Sequence, residues 1–309
     1  LRVFGGAAHP FTTAKLAPAD ADLFVESESD LAAFYGTAHQ LLQRFNPELA
    51  AQLPGAELVD PDKPAGAALA AFLKSQACLT AIVRLNGETA LSPEFEFKHD
   101  VLLSLDVCGP QLLAYLRAEH EDLKEAKTEG GRTFYTFGST GGLPLRPVCA
   151  VDGASFYFAT SEAFLCECLD RKSGLPQSPI FNDALAATAA EGNSIVYASP
   201  RLFHALGDLL KLADGLPPHE PAVDALLRNA TKRLANVAAP AVSVTSNLPE
   251  GMLVQSVGSV SLREALPVLA LATPDLAGNI LRVALPAHVA DLQARALVAR
   301  HEEAIRGNL

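Results

Sequence analysis

Apolar residues along this chain come in short runs, each followed by a polar or hydroxyl residue and then by an apolar stripe at helical spacing. The phrase occurs four times. It reads Leu23-Phe24-Val25-Glu26-Ser27 ahead of a helix over Leu31–Phe45, and Leu103-Ser104-Leu105-Asp106-Val107 ahead of one over Pro110–Leu123. It returns as Phe156-Tyr157-Phe158-Ala159-Thr160 before Glu162–Leu169, and as Ile195-Val196-Tyr197-Ala198-Ser199 before Pro200–Leu212. Each unit predicts a strand, a capping residue and an amphipathic helix, and each must bury its apolar face on a neighbour. The fourth has the clearest helix start, with Ser199 as N-cap and Pro200 in the first helical position.

Turn chemistry decides how the strands pair. Asn86-Gly87 lies between Leu79–Leu85 and Thr89–Phe97, and Asp152-Gly153 between Pro147–Ala150 and Ser155–Thr160. Both dipeptides favour tight hairpins. Arg132–Phe137 alternates like a half-buried strand. Val242–Ser246 and Met252–Ser261 read as strands joined through Asn247–Gly251. Short hairpins mean antiparallel pairing. The expected class is therefore α+β: a large twisted, mostly antiparallel sheet of repeated strand–cap–helix units, with helices packed on one face. Two similar halves, 1–145 and 146–309, meet near residues 140–150, or the chain forms one continuous domain.

The remaining pattern is connective. Residues 1–20 read as an extended lead-in, Asp60–Pro64 as a turn-rich link, Ala67–Leu73 as helical and Glu119–Gly131 as a polar stretch. Gly215–Pro221 is a stiff linker ahead of a helical stripe of Val223, Leu226, Leu227, Ala230 and Leu234. Val289, Leu292, Ala296 and Ala299 predict a last amphipathic helix.

Composition narrows the function classes. With 49% apolar and 19% charged residues, the chain has the makings of a generous core. A net charge of -11, with Lys and Arg scattered, argues against a nucleic-acid or anionic-membrane surface. No apolar run approaches the roughly 20 residues of a bilayer span; the nearest, Leu266–Leu276, is broken by Pro267, Pro274 and Asp275. The chain begins at Leu1 and its one methionine is Met252, which leads to the expectation of an upstream signal peptide, anchor or tag. Five cysteines at irregular spacing do not make a disulfide framework, and core packing is the expected role of most of them, a single disulfide remaining open if the chain is exported. Cys166 and Cys168 diverge by about 200° on a helix, which opposes a shared metal or a mutual bridge.

Candidate chemistry is sparse. His99 and Asp100, with Cys108 further along, supply the residue types of a thiolate nucleophile, its base and an orienting carboxylate, and so a Cys/His-dependent hydrolase. Adjacent residues on a strand point to opposite faces, which works against that orientation. His204 and Asp208 stand at i and i+4, a metal-binding spacing, with no third ligand indicated. His120-Glu121-Asp122 and His301-Glu302-Glu303 read as charge clusters at helix ends. Phe137–Gly142 is glycine-rich but lacks the lysine of a P-loop, and Asn229-Ala230-Thr231 has the form of a glycosylation sequon inside a helix. The aromatics Phe24, Phe156, Tyr157 and Phe158 lie in strand phrases, and Phe34, Phe164 and Phe203 in the helices that follow. They form a core, or line an apolar cavity if the sheet curls. No catalytic, cofactor-binding or metal residue is assigned.

Two stretches carry a resemblance. Leu16–Leu31, and Val151–Leu165 with its Asp-Gly hairpin, strand and Thr-Ser cap, resemble lines of DUF3352, a domain family of unknown function in bacterial exported proteins. The resemblance implies an extracytoplasmic bacterial protein, periplasmic or anchored facing the periplasm, and brings no site residues. The expected function is non-enzymatic: binding another protein, or serving as an accessory subunit of an assembly, through a sheet edge or helical face. The alternative is a carrier of a lipid or other apolar ligand in a curved-sheet cavity.

Overall fold

The computed structural model describes residues 7–30, 76–87, 99–129, 132–138, 146–170, 174–213, 231–248 and 251–258, with positions 36, 40, 43, 44, 66, 70, 228 and 229. The elements in chain order are β1 (His9–Pro10), β2 (Leu23–Asp30), β3 (Gln76–Arg84), β4 (Asp100–Leu105), α1 (Gly109–Glu119), β5 (Leu123–Glu129) and β6 (Arg132–Phe137). Then come β7 (Val148–Asp152), β8 (Ser155–Ala159), α2 (Glu162–Asp170), α3 (Pro179–Ala186), β9 (Glu191–Gly192), β10 (Ser194–Ala198), α4 (Pro200–Ala213), β11 (Ala241–Leu248) and β12 (Gly251–Val257). Single 3-10 turns cover Thr13–Leu16 and Leu175–Gln177.

Ten strands form one antiparallel sheet in the order β12-β11-β10-β2-β3-β4-β8-β7-β6-β5, while β1 and β9 make a small separate pair. Residues before 145 and after 146 interleave in it: β7 and β8 lie between β4 and β6, and β10 pairs with β2. The hairpin at Asp152–Ser155 forms as its sequence predicts, and Gly153 takes the left-handed φ of +61° that the turn requires. The β11–β12 hairpin forms as well. Asn86-Gly87 does not close a two-residue turn between the described strands, because Arg84 pairs with Asp100; Thr89–Phe97 lies outside the described residues.

One row of side chains carries the core. Val242, Tyr197, Phe24, Ile82, Leu102, Ala159 and Val148 are register neighbours across seven strands and face the same way. All are nearly inaccessible, and the larger of them contribute about 1.5–3 kcal/mol each through burial. Phe164, Leu165 and Cys168 of α2 and Phe181 and Ala184 of α3 close over this face.

The helices lie on both faces rather than on one. Leu113 and Leu116 of α1 pack with Tyr135, Cys149, Phe156 and Phe158, which point away from the main core. Phe203 of α4 packs with Leu234, Val237 and Ala198 on that second face. The physical reason is visible in the strands: Val148-Cys149-Ala150 is apolar and buried at consecutive positions, and an unbroken apolar run is covered on both sides.

The strand-to-helix joins also differ. Ser199 caps α4 as expected, its Oγ accepting the Leu202 N–H at 3.1 Å. At α2 the cap is Ser161, accepting from Phe164 N–H at 3.3 Å, because Thr160 is engaged with His99 and Val101 across the strand. At α1 no side chain caps: Cys108 adopts φ 60°, and Asp106 accepts the Cys78 N–H at 2.7 Å instead. Gly109 N–H donates to the Ala154 carbonyl at 2.7 Å, and a Cβ there would stand 2.6 Å from Ser155 O.

Of the other expected helices, positions 36, 40, 43 and 44 are helical, as are 228, 229 and 231–235. Asp60–Pro64, Gly215–Pro221 and the amphipathic stretch around Val289–Ala299 lie outside the described residues. Among the described residues no helix is long and apolar enough to cross a membrane.

Candidate interaction edge

The two ends of the sheet are built differently. β5, the polar stretch of the sequence, is an edge strand of sequence Leu-Lys-Glu-Ala-Lys-Thr-Glu, and its register with β6 slips between Glu125 and Lys127. Lys127 reaches Glu162 at 2.6 Å and lies over the Phe134 ring. Charge and a bulge are the ordinary means by which an edge resists further pairing.

β12 has neither. Gly251-Met-Leu-Val-Gln-Ser-Val257 contains no charged residue and no proline, and all seven residues pair with β11 without a slip. Register puts Leu253, Gln255 and Val257 on the core face and Met252, Val254 and Ser256 on the other. Met252 is 56% exposed, Val254 49%, Leu253 42% and Val257 36%, so the strand is bare on both faces. Among the described residues β11 is its one neighbour, leaving every second residue's N–H and C=O directed outward.

The polar residues singled out in the sequence do not converge. His99 and Asp100 stand at the start of β4 and Cys108 beyond its end, about 20 Å or more of extended chain away. His99 Nδ1 accepts from Asn86 N–H at 3.3 Å, and Asp100 binds the Arg84 guanidinium at 2.8 Å. His204 Nε2 donates to the Val237 carbonyl at 2.9 Å, tying α4 to the segment after residue 235. The His120 ring meets Phe137 edge-on at 5.6 Å. Cys78, Cys108, Cys149, Cys166 and Cys168 are unbridged. Among the described residues no group of three or more His, Cys, Asp or Glu is placed to hold a metal ion. The 301–303 cluster, and Ser139–Gly142 of the glycine-rich loop, lie outside the described residues; Asn229 and Thr231 are helical. Phe24 and Phe164 are buried in the main core, and Phe156 and Phe158 pack under α1.

Three ionic centres escaped the sequence reading. Asp22, 2% exposed, accepts from Ser199 Oγ, Leu85 N–H and the Arg201 guanidinium. Glu26, 1% exposed, accepts from Thr12 N–H, Thr13 N–H and Thr13 Oγ at 3.0, 2.8 and 2.6 Å, holding the lead-in on the sheet. Arg84 binds Asp100 and Glu167 and lies 4.9 Å over the Phe164 ring; burial alone lowers its pKa, but the two carboxylates raise it overall. A carboxylate inside an apolar strand phrase is the one available sequence signal: Glu26 follows Leu-Phe-Val directly. Beside Asp22 and Arg201 lies an open hollow of about 400 Å³, with Asp20, Ile180, Tyr197 and His204 on its walls. The strand phenylalanines do not line it.

No family model, curated protein or solved structure matches this chain.

Proposed function

We propose that this chain is a binding or accessory protein, working outside the cytoplasm, that joins another polypeptide by strand addition along β12. The supporting observation is the asymmetry of the two sheet edges: β5 carries lysines, glutamates and a bulge, while β12 is uncharged, unbroken and apolar on both faces. An edge of that kind aggregates or is used, and an added strand gains main-chain hydrogen bonds with side-chain contacts on alternate faces. Covering side chains of this size is worth about 1.5–3 kcal/mol each when complete. The extracytoplasmic placement stands on the DUF3352 resemblance of residues 16–31 and 151–165. A carrier role gains no comparable support, since among the described residues Phe24, Tyr157 and Phe164 pack in the main core, Phe156 and Phe158 under α1, and Phe203 against Leu234 and Val237. Phe34 lies outside the described residues.

The test is site-specific photo-crosslinking in the native setting, with the probe at Val254 of β12 or at Thr128 of β5. The expected result is a discrete polypeptide adduct from position 254 and none from 128. Equal labelling from the two edges, or none from 254, overturns the reading.

A further inference from the structure

We infer that the strand β12 accepts is β12 of a second copy, joining two ten-stranded sheets about a two-fold axis. This rests on the reading of β12 as the interaction edge and names its occupant. All nine pairings in the sheet are antiparallel. A two-fold axis normal to the sheet at Val254 lays β12 antiparallel to itself with the whole strand overlapped, so the seam continues the existing pattern. Such a contact is isologous and needs no differently shaped partner.

Charge and closure favour this occupant. Each chain carries a net -11, which opposes self-association over most of the surface, yet Gly251 to Val257 is free of charge. Two copies therefore meet there without like charges at the seam. Joining β12 to β12 leaves β5 at both ends of the enlarged sheet. Pairing β12 onto β5 would set an unbroken strand against the slip at Glu125/Lys127 and its charges, so the assembly stops at two. The seam also adds cover on both faces, because Val254 meets Val254 of the second copy, with Met252 opposite its Ser256 on that side and Leu253 opposite its Gln255 on the other.

The test is sedimentation velocity on the purified full chain, with Val254→Lys and Ser256→Lys on β12 and Thr128→Lys on β5, folding being checked by circular dichroism. All three sites are on edge strands, and a second β12 variant is present should one misfold. The expected result is a dimer for the parent and Thr128→Lys, with roughly a hundredfold weaker dimerisation in Val254→Lys, whose two ammonium groups meet at the axis, and a smaller loss in Ser256→Lys, which sets a charge against Met252 of the other copy. A photo-crosslinker at 254 should join two differently tagged copies. A monomeric parent whose adduct maps to residues 259–309 of its own chain overturns the inference, as does an adduct to a different polypeptide alone; the latter leaves the interaction edge standing. No adduct from 254 removes both.

Discussion

Asp22 Oδ1 accepts the Ser199 hydroxyl at 2.6 Å, across 177 residues of sequence. The Ser199 N–H in turn donates to the Asp22 carbonyl. Asp22 Oδ2 takes the Leu85 N–H at 2.7 Å, and the Arg201 guanidinium spans Asp22 and the Leu85 carbonyl. One buried carboxylate thus pins the start of β2, the end of β3 and the first turn of α4.

Removing that carboxylate leaves a buried N–H without its acceptor and an arginine without its partner. Asp22→Ala is expected to cost about 2–4 kcal/mol, below the full penalty for a broken buried pair because Arg201 is half exposed. Ser199→Ala loses a helix cap and costs about 1 kcal/mol. The double variant should cost less than the two together, since Ser199 acts partly through Asp22. Urea unfolding of the four proteins measures this; full additivity would show that the two residues act independently.

The Asp152-Gly153 and β11–β12 hairpins, their strand runs and the Ser199–Pro200 helix start were legible because each is decided within a few residues, whereas Asn86-Gly87 has the same turn chemistry and does not close a two-residue hairpin between the described strands. Gly153 can take φ +61° wherever it stands, and Ser199 reaches Leu202 through its own first turn. The face each helix covers was harder to read, because it follows from the path of the connection. The unbroken apolar run Val148-Cys149-Ala150 was the available clue. Asp106 and Thr160 have the chemistry of caps, but cross-strand neighbours compete for them and win. The polar β5 reads as a loop until its place at the sheet edge explains its lysines and glutamates. β12 was legible as a strand; that its apolar side chains stay uncovered depends on strand order, which no local pattern encodes.

His9 makes stability depend on pH. Its Nδ1 donates to the Pro10 carbonyl at 3.0 Å and its Nε2 lies 3.1 Å from Glu28. Burial lowers the imidazole pKa, but the carbonyl and the carboxylate prevail and hold it above 6.5. A pKa raised on folding contributes stability that is fully present below the unfolded value and lost as pH rises through the folded one. His9→Gln should therefore lower the urea midpoint at about pH 5.5 more than at about pH 8. The ring is partly exposed, so the difference is small. A pH-independent difference would mean that the pair contributes nothing through charge.

Cys78 should be slow to react despite being half-buried rather than enclosed. Burial, followed by the negative charges of Glu26 and Asp106, pushes its thiol up to about 12, and burial alone pushes Cys149 up to about 11. The thiolate is the reactive species, so at pH 8 unfolding should speed labelling of Cys78 on the order of a thousandfold. All five cysteines should then label without reductant, as unbridged thiols. Mass spectrometry of peptides from timed labelling reads both results; fewer than five labelled cysteines would reveal a disulfide. Asp106→Asn separates charge from burial. It removes one negative neighbour of Cys78 and none of Cys149, so it should accelerate Cys78 selectively. If both cysteines accelerate together, the variant has loosened the sheet, and the local field of Asp106 is not what protects Cys78.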